Sequence, residues 1–216
     1  MTVDVFSDIT CPFCYIGKRH LEGALAELGI SDAEIRFRSF VLDPTVADSD
    51  LGTPSTVNLA AKKGMSVADA ERMTQAVAYR ASQVGIPMDF TKAKVLRTRD
   101  AHRLLQWART QSLEQAAKLK EELMNDYFCG GVNLNEPDAL ADAAERAGLD
   151  RRSALDVLGN PEAFRAEVEA DLAYAQRLNV RGVPFFVFNQ RVGLSGAQSV
   201  ETFKSAMKES LQLPTE

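Results

Sequence analysis

The chain has little cysteine, histidine or tryptophan: three, two and one residue among 216. A low, odd number of cysteines cannot supply the disulfide framework that staples small secreted domains. The third cysteine, Cys129, and the histidines, His20 and His102, are scattered without the paired spacing of a four-ligand zinc site, so no metal is expected. No run approaches the ~18 apolar residues of a membrane span. No block of like charge exceeds a few residues and the net charge is −5, so neither nucleic acid nor a membrane surface is expected as a partner. No basic stretch and apolar run precede the first strand, as a signal peptide would require. Together these absences lead to the expectation of a cytoplasmic protein. What remains, 45% hydrophobic and 25% charged residues, is the composition of an ordinary globular chain with a real core.

Within that chain, Cys11-Pro12-Phe13-Cys14 stands out by its position. Val3, Val5, Phe6 and Ile9 ahead of it read as a strand. Behind it, Leu21, Leu25 and Leu28 follow Cys14 and Gly17 at spacings of three and four, one face of a helix that Gly29 ends. Cys11 therefore lies at a strand-to-helix junction, with Pro12 at the first helical position. Unpaired N–H groups and the positive end of the helix dipole favour a thiolate there. Cys14, one turn on, can close a disulfide with Cys11. The pair reads as a nucleophile, Cys11, and a resolving thiol, Cys14, with the Cys11 pKa expected below the ~8.5 of free cysteine but above the ~3.5 extreme.

The rest divides into three parts. Residues 34–42 alternate Ile35 and Phe37 with Arg36 and Arg38 and then turn apolar, giving a second strand and a β-α-β unit over 1–43 with parallel strands. From Pro44 to Pro54 the chain is loop, and beyond it helical signals dominate. Helices are predicted over 66–84, 100–109, 113–128, 137–147, 150–158 and, from an Asn160 cap and Pro161, 161–178. The last forty residues return to strand: 183–189, a turn at Asn189-Gln190, a partner strand at 191–194, then a helix over 199–211 with Val200, Phe203, Met207 and Leu211 on one face.

Strand, C-P-x-C helix, strand, and later a Gly-Val-Pro strand, hairpin and helix resemble a thioredoxin fold, and the long helical insertion between its halves resembles the DsbA family. Ser7-Asp8 before Cys11-Pro12-Phe13-Cys14-Tyr15-Ile16-Gly17, then Ala101-His102-Arg103-Leu104-Leu105, Gly182-Val183-Pro184-Phe185-Phe186-Val187 and Ser195-Gly196-Ala197-Gln198, are similar to the FrnE-type cytosolic branch of that family. The fold class implied is α/β, with a discontinuous thioredoxin domain over 1–43 and 180–216 and an all-helical insertion over 44–179.

The resemblance also implies roles. Cys11 would be the exposed attacking thiolate, Cys14 its buried partner and Pro184 a cis-proline facing them. Pro12, Phe13, Val183 and Pro184 would line the substrate site, Val183 offering backbone groups to an extended strand. Phenylalanine at 13, where relatives often have tryptophan and the most oxidising members histidine, implies a milder oxidant. Asp8 either modulates proton transfer or caps the helix, and His102 either faces the site or is a hydrogen-bonded structural residue. The implied activity is thiol–disulfide exchange with protein or small dithiol substrates, with no cofactor beyond the redox-active pair and glutathione as a candidate co-substrate. A glutathione-dependent transferase or isomerase of the kappa-class or 2-hydroxychromene-2-carboxylate type shares the architecture. Those enzymes typically keep one serine or cysteine nucleophile, so Cys11 and Cys14 together favour exchange.

Overall fold

A computed structural model describes residues 1–212; the end of the predicted C-terminal segment, 213–216, lies outside the described residues. A four-stranded sheet runs in the order β2-β1-β3-β4, with β1 (Thr2–Ser7), β2 (Glu34–Ser39), β3 (Phe185–Phe188) and β4 (Val192–Ser195). β1 pairs in parallel with β2 and antiparallel with β3, so the first strand is central and buried on both faces. Asn189 and Gln190, at φ 48° and 59°, make the tight turn between β3 and β4, the left-handed geometry that hairpin twist requires.

Alternation along β1 sorts the two faces. Val3 and Val5 join Phe186, Phe188 and Phe203 in a cluster with Leu21 and Leu25 of α1 (Pro12–Glu27) and Met207 of α9 (Val200–Gln212). Phe203 meets Phe186 edge-on, ring centroids 4.7 Å apart, a favoured aromatic geometry. Phe6 points the other way, with Val187, Val180 and Ala175 of α8 (Arg165–Arg177). Helices from the long segment between β2 and β3 therefore cover the face that α1 and α9 leave open.

Cys11 takes extended angles as the residue before α1, and Pro12 opens the helix. Gly29, at φ 66°, closes it, with Ile30 N–H bonded back to the Leu25 carbonyl. Gly17 has a packing reason: a Cβ there would stand 3.1 Å from the Phe186 ring and 3.2 Å from Pro184.

Between β2 and β3 come α2 (Ser55–Lys63), α3 (Val67–Ser82), α4 (Arg99–Gln111), α5 (Leu113–Asn125), a π-helical turn at Asp126–Gly130, α6 (Pro137–Arg146), α7 (Arg151–Gly159) and α8. Several boundaries differ from the sequence reading. The helical signals beyond Pro54 delimit no helix before residue 66, whereas α2 forms over Ser55–Lys63 and ends at Gly64, φ 63°. β1 stops at Ser7, not Ile9, because the Asp8 carboxylate takes the Ile9 N–H. β2 stops at Ser39, not Leu42, because carboxylates take the next amides: Asp171 accepts from Ser39 N and Asp8 from Leu42 N. α8 starts at Arg165 instead of Pro161, since Arg103 gathers the carbonyls of Val157, Asn160 and Ala163 and holds the connecting loop in turns. On α9, Ala206 and Ser210 are buried with Phe203 and Met207, whereas Leu211 is 58% exposed.

Candidate active site

Cys11 and Cys14 are free thiols and hydrogen-bond to each other. The Cys11 Sγ also lies 3.3 Å from the Val183 carbonyl oxygen. The Val183–Pro184 peptide bond is cis, and the Pro184 carbonyl accepts from Gly196 N at 2.8 Å, anchoring this loop to the end of the hairpin. Phe13 and Val183 are partly exposed and pack against the apolar cluster that contains both sulfurs.

Two expectations about Cys11 are corrected. It is not an exposed residue: Cys11 and Cys14 are each 3% accessible, because the Val183 loop and Phe13 close over the start of α1. Nor is its pKa depressed. The hydrogen bond to Cys14, followed by burial, pushes the Cys11 thiol well above an ordinary cysteine. Burial would raise Cys14 too, but the hydrogen bond from Cys11, the charge of Lys120 and the hydroxyl of Ser7 outweigh it and bring Cys14 below the ordinary value. Because each thiol shifts the other, the two titrate as a pair.

The surroundings of Cys14 explain that asymmetry. Ser7 falls on the α1 side of β1 with Val3 and Val5 by the two-residue period, and its buried hydroxyl has no oxygen or nitrogen partner among the described residues. Asp8, the next residue, is fully buried. Its Oδ1 accepts from Ile9 N at 2.7 Å and its Oδ2 from Leu42 N at 2.6 Å. His102 Nε2 lies 3.2 Å from Oδ1. Burial opposes ionisation of Asp8, but the His102 hydrogen bond and charge, the Leu42 amide and Lys120 together hold its carboxyl below the usual range. Asp8 does not cap α1; Cys11 occupies that position. His102 is a buried residue hydrogen-bonded to Asp8, and its Nδ1 has no hydrogen-bond partner among the described residues.

Sequence reasoning missed Lys120. It is 1% accessible, comes from α5 and forms no direct ion pair among the described residues. Burial lowers its pKa, and the charges of Cys14, Asp8 and Cys11 oppose that loss. A signal was present: Ala116, Leu119, Leu123 and Met124 make the buried stripe of α5, and position 120 falls on that stripe. The neighbouring Glu121 reaches α1, accepting from Tyr15 Oη at 2.6 Å and pairing with Lys18 and Arg19. Thus α5 is clamped to the motif helix next to the position of Lys120, whose charge acts on Cys14.

Several solved structures are similar to this chain in fold. The chain is 34% identical to a "probable DsbA oxidoreductase" of Streptomyces coelicolor, covering 100% of this chain and 92% of that one at a TM-score of 0.93. A 2-hydroxychromene-2-carboxylate isomerase matches in fold, at 20% identity and TM-score 0.68 over 98% of this chain and 97% of that one. So does the cytosolic disulfide reductase DsbM of Pseudomonas aeruginosa, at 16% identity and TM-score 0.67 over 99% and 100%, a protein also solved with GSH. Among the described residues no helix is long and apolar enough to cross a membrane. The DSBA-like thioredoxin domain family matches across residues 2–208, and the chain belongs to it.

Proposed function

We propose that this chain is a thiol–disulfide oxidoreductase working through Cys11 and Cys14, in the FrnE-like cytoplasmic branch of its family. The observation that carries the reading is two free thiols placed together at the opening of α1, with the Cys11 Sγ 3.3 Å from the Val183 carbonyl oxygen and the charge of Lys120 favouring the Cys14 anion. Family membership supports the class of chemistry. Retention of the second thiol favours it over single-nucleophile isomerases.

In the reducing direction, a proton passes from Cys11 to Cys14 and frees the Cys11 thiolate. That thiolate attacks a substrate disulfide, forming a Cys11–substrate S–S bond as the substrate bond breaks, and the departing sulfur leaves as a thiolate that takes a proton from water. Cys14, giving up its proton, then attacks the Cys11 sulfur, closing the Cys11–Cys14 disulfide and releasing the second substrate sulfur as a thiolate. The sum is one substrate disulfide reduced and one protein dithiol oxidised. Two equivalents of a small thiol such as glutathione restore the dithiol. In the oxidising direction every step reverses.

Pro12, Phe13, Val183 and Pro184 form the rim over which a substrate sulfur reaches Cys11. A substrate backbone pairing with Val183 displaces the Cys11 Sγ–Val183 O contact and uncovers the sulfur. Asp8 and His102 act behind the pair, on Cys14. Insulin reduction and refolding of scrambled ribonuclease test the assignment. Turnover by wild type and none by Cys11→Ser is the expected result; equal activity in both would overturn it.

A further inference from the structure

The rim of the site carries one charge that exchange chemistry does not use. Arg80, in the last turn of α3, places its guanidinium 5.4 Å from the centroid of the Phe13 ring, the residue between Pro12 and Cys14. Its side chain is exposed, and it forms no ion pair or hydrogen bond among the described residues. Several other arginines of the helical segment are paired, Arg72 with Asp69, Arg97 with Asp48 and Arg99 with Glu169, and none of these three stands over the active-site motif. No carboxylate is available to Arg80 from its own helix, because the positions three and four residues away are Ala76, Val77, Gln83 and Val84. Farther along α1, Lys18 and Arg19 are balanced by Glu22 and Glu121. The unbalanced charge at the mouth is therefore positive.

A guanidinium over an aromatic face is held in place by the ring quadrupole while its edge N–H groups stay free for a planar, two-oxygen acceptor. We infer that Arg80 is a carboxylate-recognising subsite at the mouth of the Cys11–Cys14 site, selecting low-molecular-weight thiols and disulfides that carry a carboxylate close to the reacting sulfur. The inference rests on the exchange reading above and names its substrate class. Arg80 takes no part in bond making. It positions the incoming molecule so that its sulfur falls toward Cys11, and an extended protein substrate held through Val183 would not require it.

The test is a single-turnover oxidation of the pre-reduced full chain by excess disulfide, which needs no added reductant: each event converts one protein dithiol and one disulfide into one protein disulfide and two small thiols. Glutathione disulfide, neutral hydroxyethyl disulfide and cationic cystamine are compared on wild type, Arg80→Lys, Arg80→Gln and Arg80→Glu. For an exposed charge contact worth up to about 1 kcal/mol, Arg80→Gln slows glutathione disulfide about fivefold. Arg80→Glu slows it about tenfold or more, leaves hydroxyethyl disulfide within about twofold and speeds cystamine, while Arg80→Lys keeps most of the wild-type preference. The differences shrink as salt is raised. Equal slowing of all three disulfides, or unchanged glutathione disulfide kinetics in Arg80→Glu, would overturn the subsite and leave exchange standing. Failure of all three to oxidise the wild-type protein would overturn exchange itself, and the subsite with it.

Discussion

The front and the back of the active site are built from different parts of the chain and do different work. In front of Cys11 lie Phe13 of α1 and the Val183–Pro184 loop, and the sulfur there meets a carbonyl oxygen. On the Cys14 side the insertion contributes Lys120 of α5, whose charge favours the Cys14 anion, and His102 of α4, which is hydrogen-bonded to Asp8. The cysteines share a helix and the same 3% accessibility, yet their pKa values move in opposite directions. Burial alone would raise both; the hydrogen bond between the two sulfurs is the leading cause of the difference, and Lys120 and Ser7 add to it on the Cys14 side. The sheet-forming segments carry both thiols and the Val183–Pro184 loop, and the insertion adds a charge that favours the Cys14 anion.

The largest way to probe that division is to remove one sulfur at a time. Cys11→Ser is expected to abolish exchange, whereas Cys14→Ser still attacks but accumulates mixed disulfides, seen by mass spectrometry as adducts at Cys11. Adducts trapped at Cys14 in Cys11→Ser instead would invert the front and back assignments.

Asp8 tests the back at the level of stability. Asn at position 8 presents an NH2 where the carboxylate accepts from Ile9 N, Leu42 N and His102, and the loss is expected to be about 3 kcal/mol in urea unfolding at neutral pH. The Asp8 pKa is lower in the folded protein than in the unfolded chain. Its contribution is therefore full above the ordinary carboxyl pKa and is lost as pH falls through the depressed folded value. The gap between wild type and Asp8→Asn should narrow over that acid window; a gap that widens there would contradict the assignment.

Lys120→Met removes the cation but keeps the bulk. Lys120 stabilises the anion of Cys14, which exists only in the reduced protein, so its loss favours the disulfide. The equilibrium with glutathione is expected to shift about tenfold, or about 30 mV toward more reducing potential. A shift in the opposite sense would mean that the insertion does not hold the thiolate.

Finer still is the proton between the sulfurs. Thiolate absorbance of reduced wild type should rise in two steps, one below the ordinary cysteine pKa and one well above it. Cys11→Ala, which removes the donor altogether, should move the Cys14 step upward. Cys14→Ser, which removes the charged acceptor, should bring the Cys11 step down toward the ordinary value. Two coincident steps in wild type would erase the contrast.

The sheet, the motif helix and the hairpin were legible because local signals dictate them: β-branched runs, Pro12 at a helix start, Gly29 at its end, Asn189-Gln190 at a turn. The front of the site was legible for the same reason, being written in contiguous motifs. The back was not, since Lys120 is identifiable only once α5 is known to turn position 120 inward toward a sulfur more than a hundred positions earlier. The pKa of Cys11 was misjudged for a related reason. A helix end is a local feature, but the competing acceptor and the covering Val183 carbonyl belong to the tertiary structure. α8 was misplaced at its start because the side chain that binds its loop, Arg103, lies far upstream.

Gly17 leaves one consequence to draw. With no side chain at this position, the motif helix rests directly on Phe186 and on the proline of the late loop. A single methyl group would act as a shim, lifting the start of the helix from the strand beneath it. The close approach of the motif helix to the late loop thus depends in part on an atom that the chain omits.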